Sequence, residues 1–566
     1  MTTTDQPPSL FTDLVPHRVR RGWAARGLYR DLDLFTLFET QADRLGPTTA
    51  VVDAEGALSF RELHAAALRL AGGLAALGVS RGEVVGVQLP NSRWSCVVEL
   101  AVAALGAVLL PFPPGRGGRE AAALLAGARA ACVVVPGEHR GHDYLAPALE
   151  LARTLPELRT VVCAAPTGRA PDLAELLRAA PVAAARPDPD GPARIMVSSG
   201  SEAAPKMVAF SHNALATGLG AVVGEVLAPG ERPRSLWLVP LSAAFGSNAT
   251  VGTLMVHGGT LVLQPRFDAA GALGLVEQHR PSHVFGVPTV LRLLADEPTA
   301  ATADTSGVRT VVAGGAKLDR ATARRAAALF GCPVVSTYGS SDGVHCAMAE
   351  GSGGPAGAPG EDGTPRRSGE DGAPRRSGED GAPRRSGRPN PAVVEIRVVD
   401  EQLADVGPGR VGEIIARGPL TPLCYVGAAG LNARYRAPGG WVRTDDLGVL
   451  DADGRLTVVD RRREIVLRGG ANISPLEVEE LLLGLPGVRD AACVGVPDAV
   501  MGERLCACVV PAPGAAPTLR DLVAGLREAA LEDRKLPERL LLLDALPYTP
   551  TGKVDRRRLR TLAAAS

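Results

Sequence analysis

A chain of 566 residues is longer than one hydrophobic core organises, so two or more domains are expected. Its 61 acidic residues balance 61 basic ones, which excludes both the basic face of a nucleic-acid binder and an acidic tail. No signal-peptide core opens the chain and no 18-residue apolar run interrupts it, so no membrane partner is expected and a cytoplasmic protein is. From about residue 31 to 190, Ala/Leu-rich helical stretches alternate with short apolar runs such as 84–89 and 131–135, the rhythm of an α/β layer. A second pass follows, with strands predicted at 194–198, 236–240, 260–263, 283–286, 309–313 and 333–336 and helices at 268–279 and 319–330. Two stacked α/β subdomains account for this.

The next stretch has a different character. Residues 361–387 read EDGTPRRSG, EDGAPRRSG, EDGAPRRSG, a nine-residue unit written three times with nothing apolar to bury. A passive surface insert, bounded here as 351–388, is the expectation. Strands are then expected at 393–399 and 411–416 and a Gly/Asp-rich turn region at 439–454. From about 462 the chain reads as a small α+β unit, with helices at 475–484 and 518–530 and strands at 489–496, 505–510 and 539–543.

Nine cysteines are scattered without Cys-x2-Cys spacing, which reads as reduced, buried thiols. Cys506 and Cys508 alternate within an apolar run and are predicted on one face of a strand. The histidines, His345 among them, show no ligand spacing and receive no role. Lysine usage is more telling: Lys206, Lys317, Lys535 and Lys553 are the only four among 61 basic residues. A lysine kept against that bias points to a compact ammonium that the Arg fork cannot imitate.

Chemistry concentrates in five segments. Ser198-Ser199-Gly200-Ser201-Glu202-Ala203-Ala204-Pro205-Lys206 offers hydroxyls, backbone amides and an ammonium after a strand, a set suited to phosphate oxygens. Tyr338-Gly339-Ser340-Ser341-Asp342 follows the strand at 333–336, where open α/β sheets place ligands. Thr444-Asp445-Asp446 supplies carboxylates for a diol, Asp460 to Glu479 includes Arg461, Arg463, Gly469 and Gly470, and Pro547-Tyr548-Thr549-Pro550-Thr551-Gly552-Lys553 lies near the C-terminus.

In this order the five segments resemble the adenylate-forming superfamily, in its acyl-CoA synthetase branch, over roughly residues 30–560. The resemblance implies a large N-terminal domain of stacked α/β subdomains plus a β-rich subdomain, residues 1–461, and a small mobile α+β C-terminal domain, residues 462–566. ATP and a small-molecule carboxylic acid would give an acyl adenylate, and coenzyme A would take the acyl group. Ser198, Ser199, Gly200, Ser201 and Lys206 would hold phosphates. Tyr338 would stack on adenine near Gly314, Gly315 and Gly339. Ser341 would touch the α-phosphate, Asp342 would hold Mg2+, and Asp446 and Arg461 would bind the ribose. Arg463 would be the hinge of the small domain, Gly469 and Gly470 would line the pantetheine path, and Lys553 would bridge the carboxylate and the α-phosphate.

All but one of the departures from the family pattern fall on the ATP and acid side. Glu202, Ala203 and Met207 stand where the phosphate loop usually has Thr, Gly and Gly, and Asp342 where Glu is usual. Ala243 and Ala244 replace an aromatic–His pair, and Asp445 replaces the Gly of Thr-Gly-Asp. The thiol-side glycines are kept. Adenylation is therefore expected to be weak or absent, with thioesterification of acyl-AMP the main retained step and a companion adenylating ligase as a partner. A conventional two-step ligase, and an acyl-AMP ligase loading a separate carrier protein, stay open. No Asp occurs in 240–248, so an α-amino acid is not the expected acid; Ala243, Ala244, Phe245, Gly246 and Gly286 are read as a roomy apolar acyl pocket for a bulky acid in a biosynthetic pathway.

Overall fold

A computed structural model describes residues 10–114, 118–197, 206–316, 318–341, 343–350, 387–461, 464–468, 471–498, 501–529, 531, 535–550 and 552–566. Among these, two large sheets organise the first part of the chain. A nine-stranded sheet has a parallel centre that runs Val334–Ser340, Thr310–Ala313, His283–Gly286, Arg234–Trp237, Thr260–Leu263 and Thr49–Asp53 in spatial order. Antiparallel strands, Gly56–Ser59 on one side and Val344–Glu350 with Arg388–Pro389 on the other, close its edges. A seven-stranded sheet sets Pro192–Val197, Val108–Pro111, Val84–Val87, Ala130–Val135 and Thr160–Cys163 in parallel, with Met207–Ser211 and Cys424–Tyr425 antiparallel at one edge.

The parallel strands are short and rich in Val, Leu and Ala because both of their faces are covered. The helices Leu34–Leu45, Phe60–Ala76, Arg93–Ala104 and His212–Gly224 lie between the sheets. One continuous core joins Val85, Val87 and Val134 of the smaller sheet to Val51, Leu236 and Val262 of the larger through these helices. Their starts are fixed locally: Asp33 accepts from the Thr36 N–H, Ser59 and Glu62 form a reciprocal capping box, and Ser211 accepts from the Ala214 N–H. The two stacked α/β subdomains of the sequence reading are thus present.

A third, five-stranded sheet comprises Glu395–Val399, Gly412–Arg417, Trp441–Leu450, Arg436–Ala437 and Leu456–Arg461. Here the sequence reading is corrected. The 439–454 region is not a run of turns; Trp441–Leu450 is a ten-residue strand paired with Gly412–Arg417 and Leu456–Arg461. Val442, Thr444, Asp446 and Gly448 are buried along one face, an alternation hidden because three of the four are poor strand formers or polar.

The last sheet holds Ala471–Ile473, Val466–Arg468, Gly502–Pro511 and Val488–Asp498, with Arg539–Leu542 parallel to Gly502–Pro511. Its two faces carry separate cores. Leu505, Ala507 and Val509 pack with Leu522 and Leu526, whereas Cys506 and Cys508 pack with Leu546 and Leu559. The alternation expected of the two cysteines is therefore observed. No helix of the described residues is long and apolar enough to cross a membrane.

Candidate active site

The carboxyl ends of the parallel strands in the nine-stranded sheet deliver four segments to one place: Pro240–Gly246, Gly286–Val287, Gly314–Gly315 and Tyr338–Ser341. Open α/β sheets bind ligands at this edge because the connecting loops diverge there. Gly315 has φ of +81°, a left-handed turn that a side chain would strain. A methyl group built on it would lie 3.5 Å from Val287 Cγ1 and 3.7 Å from Lys553 Cε. The arm of Lys553 thus passes over the Gly315 turn, and the structure joins two segments far apart in sequence.

Lys553 is held by a tight hairpin. The Thr549 N–H donates to the Lys553 carbonyl at 2.7 Å, the Gly552 N–H to the Thr549 carbonyl at 2.9 Å, and the Lys553 N–H to Thr549 Oγ1 at 3.2 Å. Gly552, at φ +80°, lets the backbone approach Val287, whose Cγ2 would be 3.1 Å from a methyl group there.

Tyr338 and Asp446 form a polar pair. The Tyr338 hydroxyl donates to Asp446 Oδ2 at 2.5 Å, and Asp446 is almost fully buried. The backbone N–H of Asp446 donates to Thr444 Oγ1, whose hydroxyl donates to the Ile414 carbonyl at 2.7 Å. Arg461 is the direct strand partner of Asp446 in the antiparallel register. Asp445 keeps a left-handed φ of +65°, the conformation a glycine would adopt freely, and Asp is among the side chains that tolerate it. The departure at Asp445 therefore preserves the irregularity in strand register that presents Asp446.

An aromatic cluster lies beside these loops. Trp237 stacks on Phe285 with ring centroids 3.9 Å apart, and Phe245 packs edge-on to Trp237 at 5.7 Å. Phe245 also fills the space beside Gly314: a methyl group there would meet its Cζ at 2.8 Å and Thr337 Cγ2 at 2.9 Å. Ala243 and Ala244 are half-buried on the same turn.

Two of the small residues have a different role from the one expected. A methyl group on Gly246 would lie 1.9 Å from the Pro240 carbonyl oxygen, so this glycine permits its own turn and opens no space to a ligand. At Gly286 the space is bounded by Val290 and Leu291 of the helix Pro288–Asp296, which makes it a helix-packing position. Local packing thus accounts for Gly246 and Gly286.

Lys206 places its ammonium 3.5 Å from the Tyr435 ring centroid and 5.8 Å from that of Tyr425, docking the end of its loop on an aromatic pair. Met207 packs its terminal methyl toward Gly127, within the second core. Ser341, half-buried, follows the strand that carries Tyr338 and Gly339. Ser198, Ser199, Gly200, Ser201, Glu202, Ala203, Asp342, Arg463, Gly469 and Gly470 lie outside the described residues.

Several site-supporting residues escaped the sequence reading. Buried Arg194 donates to Glu99 Oε1 at 2.6 Å and to the Leu241 carbonyl at 2.9 Å, and Asn91 brackets Val239 and Leu241, so both fix the approach to Phe245. His345, to which no role was given, is buried between Glu225 Oε2 at 2.8 Å and Thr337 Oγ1 at 3.2 Å. Arg292 reaches Asp490 and Tyr548. None repeats at a helical or strand period with its partners, so no local signal could have found them.

The comparisons accord with this geometry. The AMP-binding enzyme family matches residues 38–426, and the AMP-binding enzyme C-terminal domain matches residues 477–553. The chain belongs to the AMP-binding enzyme family. It is an adenylate-forming ligase by membership, and its large N-terminal and small C-terminal domains are those of the superfamily. The enzyme is 32% identical to a 2-hydroxy-7-methoxy-5-methyl-1-naphthoate–CoA ligase of Streptomyces carzinostaticus, over 97% of this chain and 96% of that protein. It is 30% identical to a salicyl-AMP ligase / salicyl-S-ArCP synthetase of Mycobacterium tuberculosis, over 94% and 91%. Among solved structures it resembles the amide bond synthetase McbA of Marinactinospora thermotolerans, with a TM-score of 0.78, 29% identity, and 94% and 99% of the two chains covered.

Proposed function

We propose that this enzyme converts a bulky aromatic, non-amino carboxylic acid into its acyl adenylate and passes the acyl group to the thiol of coenzyme A. The observation that carries the reading is the arm of Lys553 laid over Gly315, the residue next to Gly314 against which Phe245 packs. Adenine would stack on Tyr338, the ribose would meet Asp446 and Arg461, and Ser341 would face the α-phosphate. In the first step a carboxylate oxygen bonds to the α-phosphorus, the bond to the bridging oxygen breaks, and pyrophosphate leaves. A lysine ammonium at that point neutralises charge spreading over the phosphoryl oxygens. In the second step the thiol loses its proton, its sulfur bonds to the acyl carbon, and AMP leaves.

Among the described residues no three His, Cys, Asp or Glu side chains gather as a metal cage. By family resemblance, a magnesium ion would ride on the phosphates with Asp342 as a protein ligand and would supply further charge neutralisation. Aryl acids in the names of both relatives support the acid class, and the naphthoate–CoA ligase supports the acceptor. Gly469 and Gly470 would line the pantetheine path by family resemblance. Free, mostly buried cysteines support a cytoplasmic setting.

Adenylation is proposed as the slower half. By resemblance, Glu202 would replace a hydroxyl near the β- and γ-phosphates, and one like-charge pair at about 4 Å costs roughly 1–4 kcal/mol. An acyl adenylate has neither phosphate, so its binding is spared, and a companion ligase could feed the second step. The test compares ATP plus acid with synthetic acyl adenylate, each offered CoA, a phosphopantetheinyl carrier protein or an amine. Faster acyl-CoA formation from the adenylate supports the reading. Equal yields from both starting points refute the slow first step, and transfer to the carrier or amine alone refutes CoA.

A further inference from the structure

The small domain touches the large one through a polar cluster with a direct line to Lys553. Arg292 lies on the helix Pro288–Asp296 of the large domain, and its Nη2 donates to Asp490 Oδ2 at 2.7 Å and to the Tyr548 hydroxyl oxygen at 3.3 Å. The Tyr548 hydroxyl in turn donates to the same Asp490 oxygen at 2.8 Å. Asp490 belongs to the strand Val488–Asp498, and Tyr548 opens the hairpin that ends in Lys553, where it pairs with Val554. The cluster is largely enclosed, with the Arg292 side chain 23% and the Asp490 side chain 14% exposed. Burial acts to lower the Arg292 pKa, but the hydrogen bond and charge of Asp490 outweigh it and leave the guanidinium more strongly protonated than usual.

The N-cap residue of that helix makes a second contact with the hairpin. Val287, immediately before Pro288, is the residue that Gly552 approaches, and Arg292 stands five residues further on. At a rise of about 1.5 Å per residue these contacts are roughly 7.5 Å apart along the helix, so the hairpin is gripped at two points of one rigid element. The apolar contact at Gly552 sets no direction between the hairpin and the large domain. The Arg292–Asp490–Tyr548 contact adds a directional, hydrogen-bonded one.

We infer that Arg292 is a positioning residue for the adenylation half-reaction, holding Lys553 over Gly315 by gripping Asp490 and Tyr548 of the small domain. This rests on the two-step reading above. Because Lys553 serves only the first step in that reading, the grip matters there and not in thiol transfer.

The test measures ATP–pyrophosphate exchange and, separately, acyl-CoA formation from synthetic acyl adenylate. Arg292→Gln is expected to lower kcat for exchange by about tenfold or more, with the KM for ATP little changed and thioester formation from supplied adenylate retained. Tyr548→Phe, which removes one hydroxyl and keeps the ring, should move exchange in the same direction by a smaller factor and serves if the first variant folds poorly. Combining Arg292→Asp with Asp490→Arg should recover part of the exchange rate lost in Arg292→Asp alone. Unchanged exchange in Arg292→Gln, or an equal fall in both half-reactions, overturns the inference. Failure of the unaltered enzyme to exchange with any aryl acid would instead count against the two-step reading itself.

Discussion

Gly314→Ala is the sharpest probe of the proposed acyl wall. The added methyl would stand 2.8 Å and 2.9 Å from Phe245 ring carbons and 2.9 Å from Thr337 Cγ2. Carbon atoms prefer about 3.5–4.0 Å, so something must yield by roughly 0.6–1 Å. Trp237 cannot yield, being fully buried and stacked at 3.9 Å on Phe285. Thr337 is buried as well, with its hydroxyl bonded to His345. Phe245 is half-buried and gives way, into the space where the acid is placed. Overpacking of this kind costs about 1–3 kcal/mol, which expressed wholly in acid binding is roughly a five- to 150-fold rise in KM. Pyrophosphate exchange measured against acid concentration reads this directly, with one-ring and two-ring aryl carboxylic acids compared. The two-ring acid should suffer more, and adding Phe245→Leu should restore much of its affinity. A lowered melting temperature with unchanged KM for both acids would show that Phe245 is a core residue and that the acyl wall lies elsewhere.

Further outcomes follow from other parts of the fold. Arg194→Met leaves Glu99 buried with only Thr250 Oγ1 as a neutral partner, and is expected to cost about 3–5 kcal/mol in urea unfolding; adding Glu99→Gln should recover part of it. His212 accepts the Leu34 N–H through Nδ1 and is held neutral by burial, its pKa pushed down from 6.5 to about 4. The unfolded chain therefore binds the extra proton first, and stability falls as pH drops from about 6.5 toward 4, by of order 3 kcal/mol for this group. His212→Gln should flatten that dependence in urea midpoints taken between pH 7 and 5, and an unchanged slope would exclude His212 as its source. Deleting residues 361–378, two of the three repeats, should leave melting temperature and thioester yield unchanged, because the segment has no side chain suited to a core and long surface loops add little closure cost.

Short parallel strands such as 260–263, with Leu261, Val262 and Leu263 in succession, were legible because burial on both faces demands an apolar run, a purely local signature. The alternation of Cys506 and Cys508 with Leu505 and Ala507 was legible for a similar reason, since a strand divides its residues between two faces. Ordered motifs around Tyr338, Asp446 and Lys553 marked the chemistry, and the scarcity of lysine marked Lys553 independently. What those motifs do to one another needed the fold. The Tyr338–Asp446 bond spans 108 residues, and Lys553 meets Gly315 across the two domains. Trp441–Leu450 was misread because its Gly and Asp residues mimic a turn, and only pairing with strands on both sides makes an extended conformation the stable one. Gly246 was misread because an absent side chain looks alike in sequence whether the space belongs to a ligand or to the Pro240 carbonyl. Arg292 carries no sequence signal at all: an isolated arginine on a helix is usually solvated, and it becomes a grip only because Asp490, 198 residues away, is brought within 2.7 Å of it. Composition and periodicity report how each segment buries its own surface, whereas charge pairs and tight turns take their meaning from neighbours that folding alone supplies.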